Sequence, residues 1–213
     1  MEFVVTICDR GVVFGRTMQA ILDNVRAAFP LWDEASLGQQ YDIVWSHDKP
    51  IPEAQTSVVE RALTINPFYI WMVEEDVVPP TQTLTKLMHL IEKEKTDAAT
   101  AWYKVEGGSS SVYQKNGRFI CGGLGCLLVK AIAFTKMPKP WFSTHYAYTL
   151  VDGALIETGN GEQAYGRQDI HFYAQMANAG LKTSFLDIEC EHLYVAEYGK
   201  PKVNDGCHTI KAR

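Results

Sequence analysis

Three consecutive carboxylates, Glu74, Glu75 and Asp76, follow directly on the apolar run "FYIWMV" and form an acidic triplet. Adjacent like charges repel, so three of them together cost stability unless a cation relieves the repulsion. Carboxylate oxygens are hard ligands that suit Mg²⁺ or Mn²⁺, and these ions in turn hold substrate phosphates. The triplet is therefore a candidate metal site for a phosphorylated ligand. The same letters are also typical of a solvated turn before a helix, whose N-terminus favours acidic residues.

The elements around the triplet alternate between strand and helix patterns. Runs rich in apolar and β-branched residues at 3–8, 41–46, 68–73 and 97–103 are typical of buried strands. Apolar residues at spacings of three and four predict amphipathic helices between them, the first with Thr17 as its N-cap. Such alternation indicates an α/β fold whose mostly parallel sheet has helices on both faces. Ligands of such sheets bind beyond the carboxyl ends of the strands, where the triplet stands.

The pattern changes after residue 104. A polar, turn-rich segment, "KVEGGSSSVYQKNGR", suggests a hairpin and precedes the glycine-rich run "FICGGLGCLLV". Residues 138–166 carry few regular signals, and loops of that length in a compact domain are usually functional or mobile. A helix is predicted over about 169–179, ended by Gly180, with strand-like residues after it. Because no repeat or linker divides the chain, we expect a single domain over 1–213.

The order of these motifs resembles that of the GT-A glycosyltransferases, especially the family-2-like group. In that group a buried third strand ends in an acidic DxD-type motif, and here Glu74 keeps a carboxylate at its first position. A glycine-rich strand follows, and later an acidic pair opens a helix, where this chain has Gln168 and Asp169. A late histidine of the group corresponds to His192. The resemblance extends in order and spacing over nearly the whole chain.

The resemblance implies a Rossmann-like GT-A fold, with helices flanking the sheet and a loop-rich acceptor side. Residues 1–104 would form the half that binds the nucleotide sugar. Residues 105–198 would form the acceptor and catalytic half, and residues 199–213 a tail.

The resemblance also implies a metal-dependent transfer of a sugar from a nucleotide-diphosphate sugar to a hydroxyl group. Asp76, with Glu74 and His192, would hold Mn²⁺ or Mg²⁺ against the charge of the leaving diphosphate. Asp169 would be the general base of an inverting reaction. Without the resemblance, Asp169 is an ordinary first-turn helix acid and His192 an ordinary packed or exposed histidine.

Five further residues are predicted to contact the donor. Three of them, Asp9, Arg10 and Asp48, follow the first two strands, which hold the base and ribose in GT-A enzymes. An acid can accept hydrogen bonds from a base or ribose, and an arginine can meet a phosphate. Glu75 in the triplet and Gly123, where the backbone could approach the sugar closely, complete the set. Ordinary loop polarity and a tight turn are the alternatives for these residues.

Expected partners are the nucleotide-sugar donor and a hydroxylated acceptor. The acceptor is expected to be a saccharide or another small hydroxylated molecule, with a hydroxylated DNA base of the kind that phage enzymes modify as a second candidate. Trp102 and Trp141 could wall the acceptor site, although such tryptophans more often pack in a core.

Composition limits the partners and the compartment. The 213-residue chain has a net charge of −5 and a pI of about 5.7, which disfavours binding nucleic acid or anionic membrane by bulk charge. No run of 18 uncharged apolar residues predicts a membrane span. Five cysteines without a CxxC pair do not indicate a disulfide framework or a structural zinc site. We therefore expect a reduced, cytoplasmic protein of undetermined oligomeric state.

Two other functions remain open on the sequence. A nucleotidyltransferase uses the same logic of metal and phosphate, but it usually carries a glycine-rich basic loop after the first strand, which "CDRGVVFGR" only faintly suggests. A non-catalytic module that binds a sugar or nucleotide would not need Asp76 and Asp169 together.

Overall fold

The computed structural model describes residues 3–8, 13–29, 41–46, 49–105, 108–160 and 167–193. The strands of these residues are β1 Phe3–Cys8, β2 Tyr41–Ser46, β3 Tyr69–Glu74, β4 Val77–Val78, β5 Ala98–Tyr103, β6 Val112–Lys115, β7 Arg118–Gly122, β8 Cys126–Lys130, β9 Tyr146–Val151, β10 Ala154–Asn160 and β11 Thr183–His192. The helices are α1 Gly15–Ala28, α2 Ile51–Thr64, α3 Thr83–Glu94, α4 Ala131–Lys136 and α5 Arg167–Asn178.

A seven-stranded sheet in the order β2-β1-β3-β8-β5-β11-β4 forms the centre of the fold. Strands β2, β1, β3, β5 and β11 run in one direction, and β8 and β4 run against them. The predicted α/β fold with a mostly parallel sheet is thus confirmed. The prediction had no antiparallel strand between β3 and β5, where β8 lies.

The alternation of side chains along the strands builds a hydrophobic core on each face of the sheet. On one face Val4, Ile70 and Met72 pack beneath α2, α4 and α5. On the other face Trp71 and Val73 of the same β3 pack beneath α1 and α3. Both clusters are almost fully buried. Because both faces of β3 are covered, its sequence is a continuous apolar run and does not alternate between apolar and polar residues.

The first helix begins earlier than predicted. It starts at Gly15 with Phe14 at the N-cap position, so the assignment of Thr17 as N-cap is wrong. Thr17 is instead fully buried one turn further on. A cap residue must precede the first helical residue, and here the helical backbone extends through Gly15.

The long segment 138–166 is more regular than predicted, because β9 and β10 form an antiparallel hairpin within it. Val151 pairs with Ala154, and the two residues between them have positive φ, +50° at Asp152 and +85° at Gly153. That geometry is typical of a two-residue hairpin turn with an Asp-Gly sequence. The hairpin predicted before the glycine-rich run is present in part: β6 lies in that polar segment, but its partner β7 begins at Arg118 and extends into the glycine-rich run.

The structure adds one finding about membranes. Among the helices of the described residues, none is long and apolar enough to cross a bilayer.

Candidate active site

The acidic triplet lies at the carboxyl end of β3, as predicted. β3 ends at Glu74, and a tight turn through Glu75 and Asp76 leads into the two-residue strand β4. Both turn residues are only 6% exposed. Phe14, just before α1, donates its backbone N–H to the carbonyl of Glu75 at 3.3 Å. Glu75 and Asp76 are therefore enclosed by protein and do not form a solvated surface turn.

The pairing of β4 with β11 brings His192 to the triplet from a distant part of the sequence. Val77 pairs with His192, and the N–H of Leu193 donates to the carbonyl of Asp76 at 2.7 Å. As a result, Nε2 of His192 lies 3.4 Å from Oδ2 of Asp76. The other ring nitrogen, Nδ1, lies 2.9 Å from the carbonyl oxygen of Lys104 and donates to it. This contact turns Nε2 toward Asp76.

The two prolines after β4 anchor the turn. Asn24 of α1 is completely buried and donates its side-chain amide to the carbonyls of Pro79 and Pro80, at 3.3 and 3.0 Å. Its Oδ1 accepts the N–H of Leu84 in the first turn of α3, at 3.0 Å. One asparagine thus satisfies buried backbone groups that the prolines and the helix start leave open.

The carboxyl groups of Asp169 and Glu74 both have a strongly raised pKa. Asp169 lies in the first turn of α5, and burial raises the pKa of its carboxyl group to about 8. Its Oδ1 is buried without a hydrogen-bond partner among the described residues. Burial also raises the pKa of Glu74 well above its usual value, and the charges of Asp169 and Asp76 add to this rise. Such perturbed carboxyl groups in one place are typical of functional sites.

The pair of Asp76 and His192 attracts positive charge. Burial alone would lower the pKa of His192, but its hydrogen bond to Asp76 and the charge of Asp76 raise that pKa above its usual value. An oxygen and a nitrogen donor that favour a positive charge between them fit a divalent cation in kind. Within the described ranges, however, no three His, Cys, Asp or Glu side chains are arranged to hold a metal ion. The predicted three-ligand set of Glu74, Asp76 and His192 stays a prediction.

The predicted donor contacts are only partly described. Asp9, Arg10 and Asp48 lie outside the described residues. Glu75 lies at the turn of the triplet, and Gly123 lies just beyond β7. A Cβ atom on Gly123 would stand 2.1 Å from the hydroxyl oxygen of Tyr103, so protein packing already requires a glycine there. Binding of a donor by these residues stays a prediction.

The β9–β10 hairpin packs on α5 through a buried histidine. His171 is fully buried; its Nδ1 accepts the hydroxyl of Tyr148 at 2.6 Å and its Nε2 donates to the carbonyl of Pro140 at 2.9 Å. Tyr146 stacks on the same ring at 4.6 Å. Burial lowers the pKa of His171, which keeps the imidazole neutral and suits this arrangement of one donor and one acceptor. The helix that contains Asp169, α5, thus also forms the surface on which the hairpin packs.

The two tryptophans that were predicted to wall the acceptor site, Trp102 and Trp141, differ in their exposure. Trp141 is 4% exposed and packs edge-on against Phe134 in the core, so its prediction as an acceptor wall is wrong. Trp102 is partly exposed and donates its indole N–H to Asp187 at 3.1 Å. Cys121 and Cys126 are free thiols that are buried in the protein.

Several residues of the site were not predicted from the sequence. Tyr103 at the end of β5 donates its hydroxyl to Oε2 of Glu74 at 3.2 Å. A cavity of about 390 Å³ is lined by Lys104, Glu189, Cys190, Glu191 and His192. Arg16 in the first turn of α1 donates to Glu191 at 2.8 Å. A signal for Tyr103 was present, because a polar aromatic residue ends a strand at the ligand-binding edge of the sheet.

No protein-family model and no curated protein matches this chain. Solved structures do match its fold. The chain is similar to A197 from STIV, with a TM-score of 0.59, 16% identity, and coverage of 88% of this chain and 82% of that chain. It is also similar to GalNAc-T7, a structure with UDP, GalNAc and Mn²⁺, with a TM-score of 0.56 and 10% identity over 91% of this chain. This chain covers only 44% of the GalNAc-T7 chain. These similarities confirm the GT-A fold that the sequence motifs predict.

Proposed function

We propose that the protein transfers a sugar from a nucleotide-diphosphate sugar to a hydroxyl group of an acceptor. One observation carries the proposal: within a GT-A fold, the carboxyl groups of Glu74, Asp76 and Asp169 converge with His192 at the carboxyl ends of β3 and β11. This is the edge of the sheet where α/β proteins bind nucleotides. The similar GalNAc-T7 structure contains UDP, GalNAc and Mn²⁺, which supports the same ligand class here.

In this proposal Asp169 is the general base. The acceptor hydroxyl gives its proton to the carboxylate of Asp169 while its oxygen bonds to the anomeric carbon of the donor sugar. The bond between that carbon and the diphosphate oxygen breaks, and the diphosphate leaves with the electron pair. Because attack and departure are on opposite faces, the product has the inverted configuration. A pKa of about 8 makes the ionised form of Asp169 a stronger base than an ordinary carboxylate, and this form becomes the main one as pH rises above 8.

Asp76 and His192 would hold a divalent cation, with Glu74 as a further ligand. When bound, Mn²⁺ or Mg²⁺ neutralises the negative charge that develops on the leaving diphosphate. Lys104 contributes by orientation, because its backbone carbonyl fixes Nδ1 of His192 and leaves Nε2 for the ion. Asp76 is 6% exposed, so little of its surface is in contact with water.

The acceptor is proposed to lie on the side of the β9–β10 hairpin. The hairpin is packed on α5, the helix that presents Asp169, so an acceptor bound against the hairpin would lie close to the base. A saccharide or another small hydroxylated molecule is the proposed acceptor. A hydroxylated DNA base is the second candidate.

The test is a screen of nucleotide sugars by thermal shift, with and without Mn²⁺, followed by turnover assays with the donors that bind. We expect a rise in melting temperature that needs the metal and disappears with chelator, and release of nucleoside diphosphate once an acceptor is added. Asp76→Asn should weaken the metal-dependent binding by about 1–3 kcal/mol, the scale of one lost charge-assisted contact. The matched control is Asp187→Asn, because Asp187 is an exposed carboxylate that accepts a hydrogen bond from Trp102 at the surface.

Each rival function predicts a different product. A nucleotidyltransferase would join a nucleoside triphosphate to a sugar phosphate and release pyrophosphate. A binding module would show the thermal shift without any turnover. Nucleotide-sugar binding of equal strength with and without metal would contradict the metal site.

A further inference from the structure

Tyr103 has no part in the proposed mechanism, yet it contacts two of the residues that do, Glu74 and His192. Its side chain is buried, with 4% exposure. Its hydroxyl donates to Oε2 of Glu74 at 3.2 Å, and its ring lies 5.0 Å from the ring of His192 between centroids, at an angle of 54°. We propose that Tyr103 is a positioning residue, which holds the carboxylate of Glu74 and the ring of His192 in the arrangement that sugar transfer requires. This inference rests on the proposed function.

The glycine-rich segment after β7 is shaped around the ring of Tyr103. A Cβ atom on Gly123 would lie 2.1 Å from the hydroxyl oxygen of Tyr103 and 2.7 Å from its Cζ. A Cβ atom on Gly125 would lie 2.7 Å from Cε1 of the same ring and 2.8 Å from Oε2 of Glu74. Contacts below 3.0 Å between these atoms force a shift of the ring or of the backbone. Both glycines therefore let the segment close over Tyr103 and Glu74 together.

Hydrogen bonds also fix the backbone of Tyr103. Its N–H donates to Oγ of Ser111 at 3.0 Å, and its carbonyl accepts the N–H of Ser111 at 2.8 Å. The carbonyl of Ser111 in turn accepts the N–H of Gly123 at 2.9 Å. Ser111 thus links the strand that carries Tyr103 to the segment that covers its ring. A ring held from both sides has little freedom to change rotamer.

Two consecutive residues at the end of β5 therefore orient two functional side chains. Tyr103 directs Glu74 through its hydroxyl, and the carbonyl of Lys104 directs His192 through Nδ1. Without the phenol, repulsion from neighbouring carboxylates would turn Glu74 away from them. The phenol is a neutral donor, so it orients the carboxylate without adding a charge that would compete with the cation.

The experiment replaces Tyr103 by phenylalanine, which keeps the packed ring and removes only the hydroxyl. The matched control is Tyr69→Phe, which removes a tyrosine–glutamate hydrogen bond of 2.7 Å to Glu92 at the opposite end of β3. We expect Tyr103→Phe to lower kcat about tenfold, the low end for a hydrogen bond to a charged group, because 3.2 Å is long for this bond. The KM for the donor and the urea midpoint should match those of the control. Unchanged kcat, or a loss explained by a lower urea midpoint, would overturn the proposal.

A second measurement needs no activity. Gly123→Ala should lower the urea midpoint strongly in the natural protein but far less in a Tyr103→Ala background, because the clashing ring is then gone. Equal effects in both backgrounds would overturn the inference alone. A natural protein that turns over no nucleotide sugar would instead overturn the proposed function, and the catalytic part of this inference with it.

Discussion

Replacing Asp169 by asparagine should stabilise the protein while removing its activity. Asparagine has nearly the shape of aspartate but no charge, so the first turn of α5 keeps its packing. The proposed general base is lost, and turnover should fall by ~10²–10⁴-fold. Donor affinity should change little, because the proton moves only in the transition state.

The size of the stabilisation follows from the pKa of Asp169. That carboxyl group has a pKa of about 8 in the folded protein, against an ordinary value of 3.8. Between these two values the folded state binds more protons than the unfolded state, so the free energy of unfolding falls as pH rises. At about 1.4 kcal/mol for each pH unit, ionisable Asp169 costs up to about 4 kcal/mol at pH 7.

Only part of this cost is recovered in the variant, because a buried amide also needs hydrogen-bond partners. We therefore expect Asp169→Asn to raise the free energy of unfolding by about 1–2 kcal/mol at pH 7 and the melting temperature by about 2–8 °C. At pH 4 the folded protein holds the proton and the unfolded protein holds it in a large fraction of the molecules, so the gain should largely disappear. Asp23→Asn, on the surface of α1 with a side chain 43% exposed, is the control and should give no comparable pH-dependent gain.

The assay combines calorimetric melting from pH 4 to pH 8 with turnover of the donor found by screening. A variant that melts below the natural protein at pH 7 would show that ionised Asp169 is stabilised by a partner, which contradicts the stated origin of its pKa. A variant that is more stable but keeps near-normal turnover would leave Asp169 as a helix-start acid only. A loss of turnover with retention of configuration would also contradict its role as base.

Three further predictions concern other parts of the molecule. Gly125→Ala should cost about 1–3 kcal/mol in urea unfolding through its clash with Tyr103, whereas Gly15→Ala, which meets nothing within 4 Å, should change stability by less than about 0.5 kcal/mol. Burial lowers the pKa of His171, so the stability that the neutral imidazole provides should be present above pH 6.5 and be lost as pH falls below it. The melting temperature of His171→Gln should not show this fall at low pH. Hydrogen exchange of residues 146–160 should slow when donor binds, and full protection of the unliganded hairpin would contradict a ligand-dependent role.

Local patterns in the sequence were sufficient to predict the framework of the fold. β1, β2, β3 and β5 are short runs with few polar residues, and the helices between them repeat apolar residues at helical spacing. The edge of the sheet at which the acidic triplet lies follows from this order alone. The β9–β10 hairpin could also have been predicted, because an Asp-Gly pair stands between two strand-like runs at 146–151 and 154–160. The prediction nevertheless treated this segment as a loop.

The contacts that complete the site could not be predicted locally. The proximity of His192 to Asp76 depends on the pairing of a two-residue strand, β4, with the end of β11, and two residues carry no periodic signal. The position of β8 between β3 and β5 likewise depends on tertiary packing, since any buried apolar strand would fit its sequence. The role of Gly123 in accommodating Tyr103 requires the ring's position, which only the folded chain provides.

The electrostatics of the site favour the proposed enzyme over a binding module. A module that held a metal-bound nucleotide would benefit from Asp76 and His192, whose shared affinity for positive charge is sufficient for that task. It would gain nothing from Asp169, whose buried Oδ1 lacks a partner among the described residues and whose ionisation the fold opposes. Burial without a partner costs stability, and a neutral residue of the same shape would remove part of that cost. A carboxyl group whose pKa lies near the working pH and that faces the triplet is, by contrast, what an acceptor hydroxyl needs in order to lose its proton.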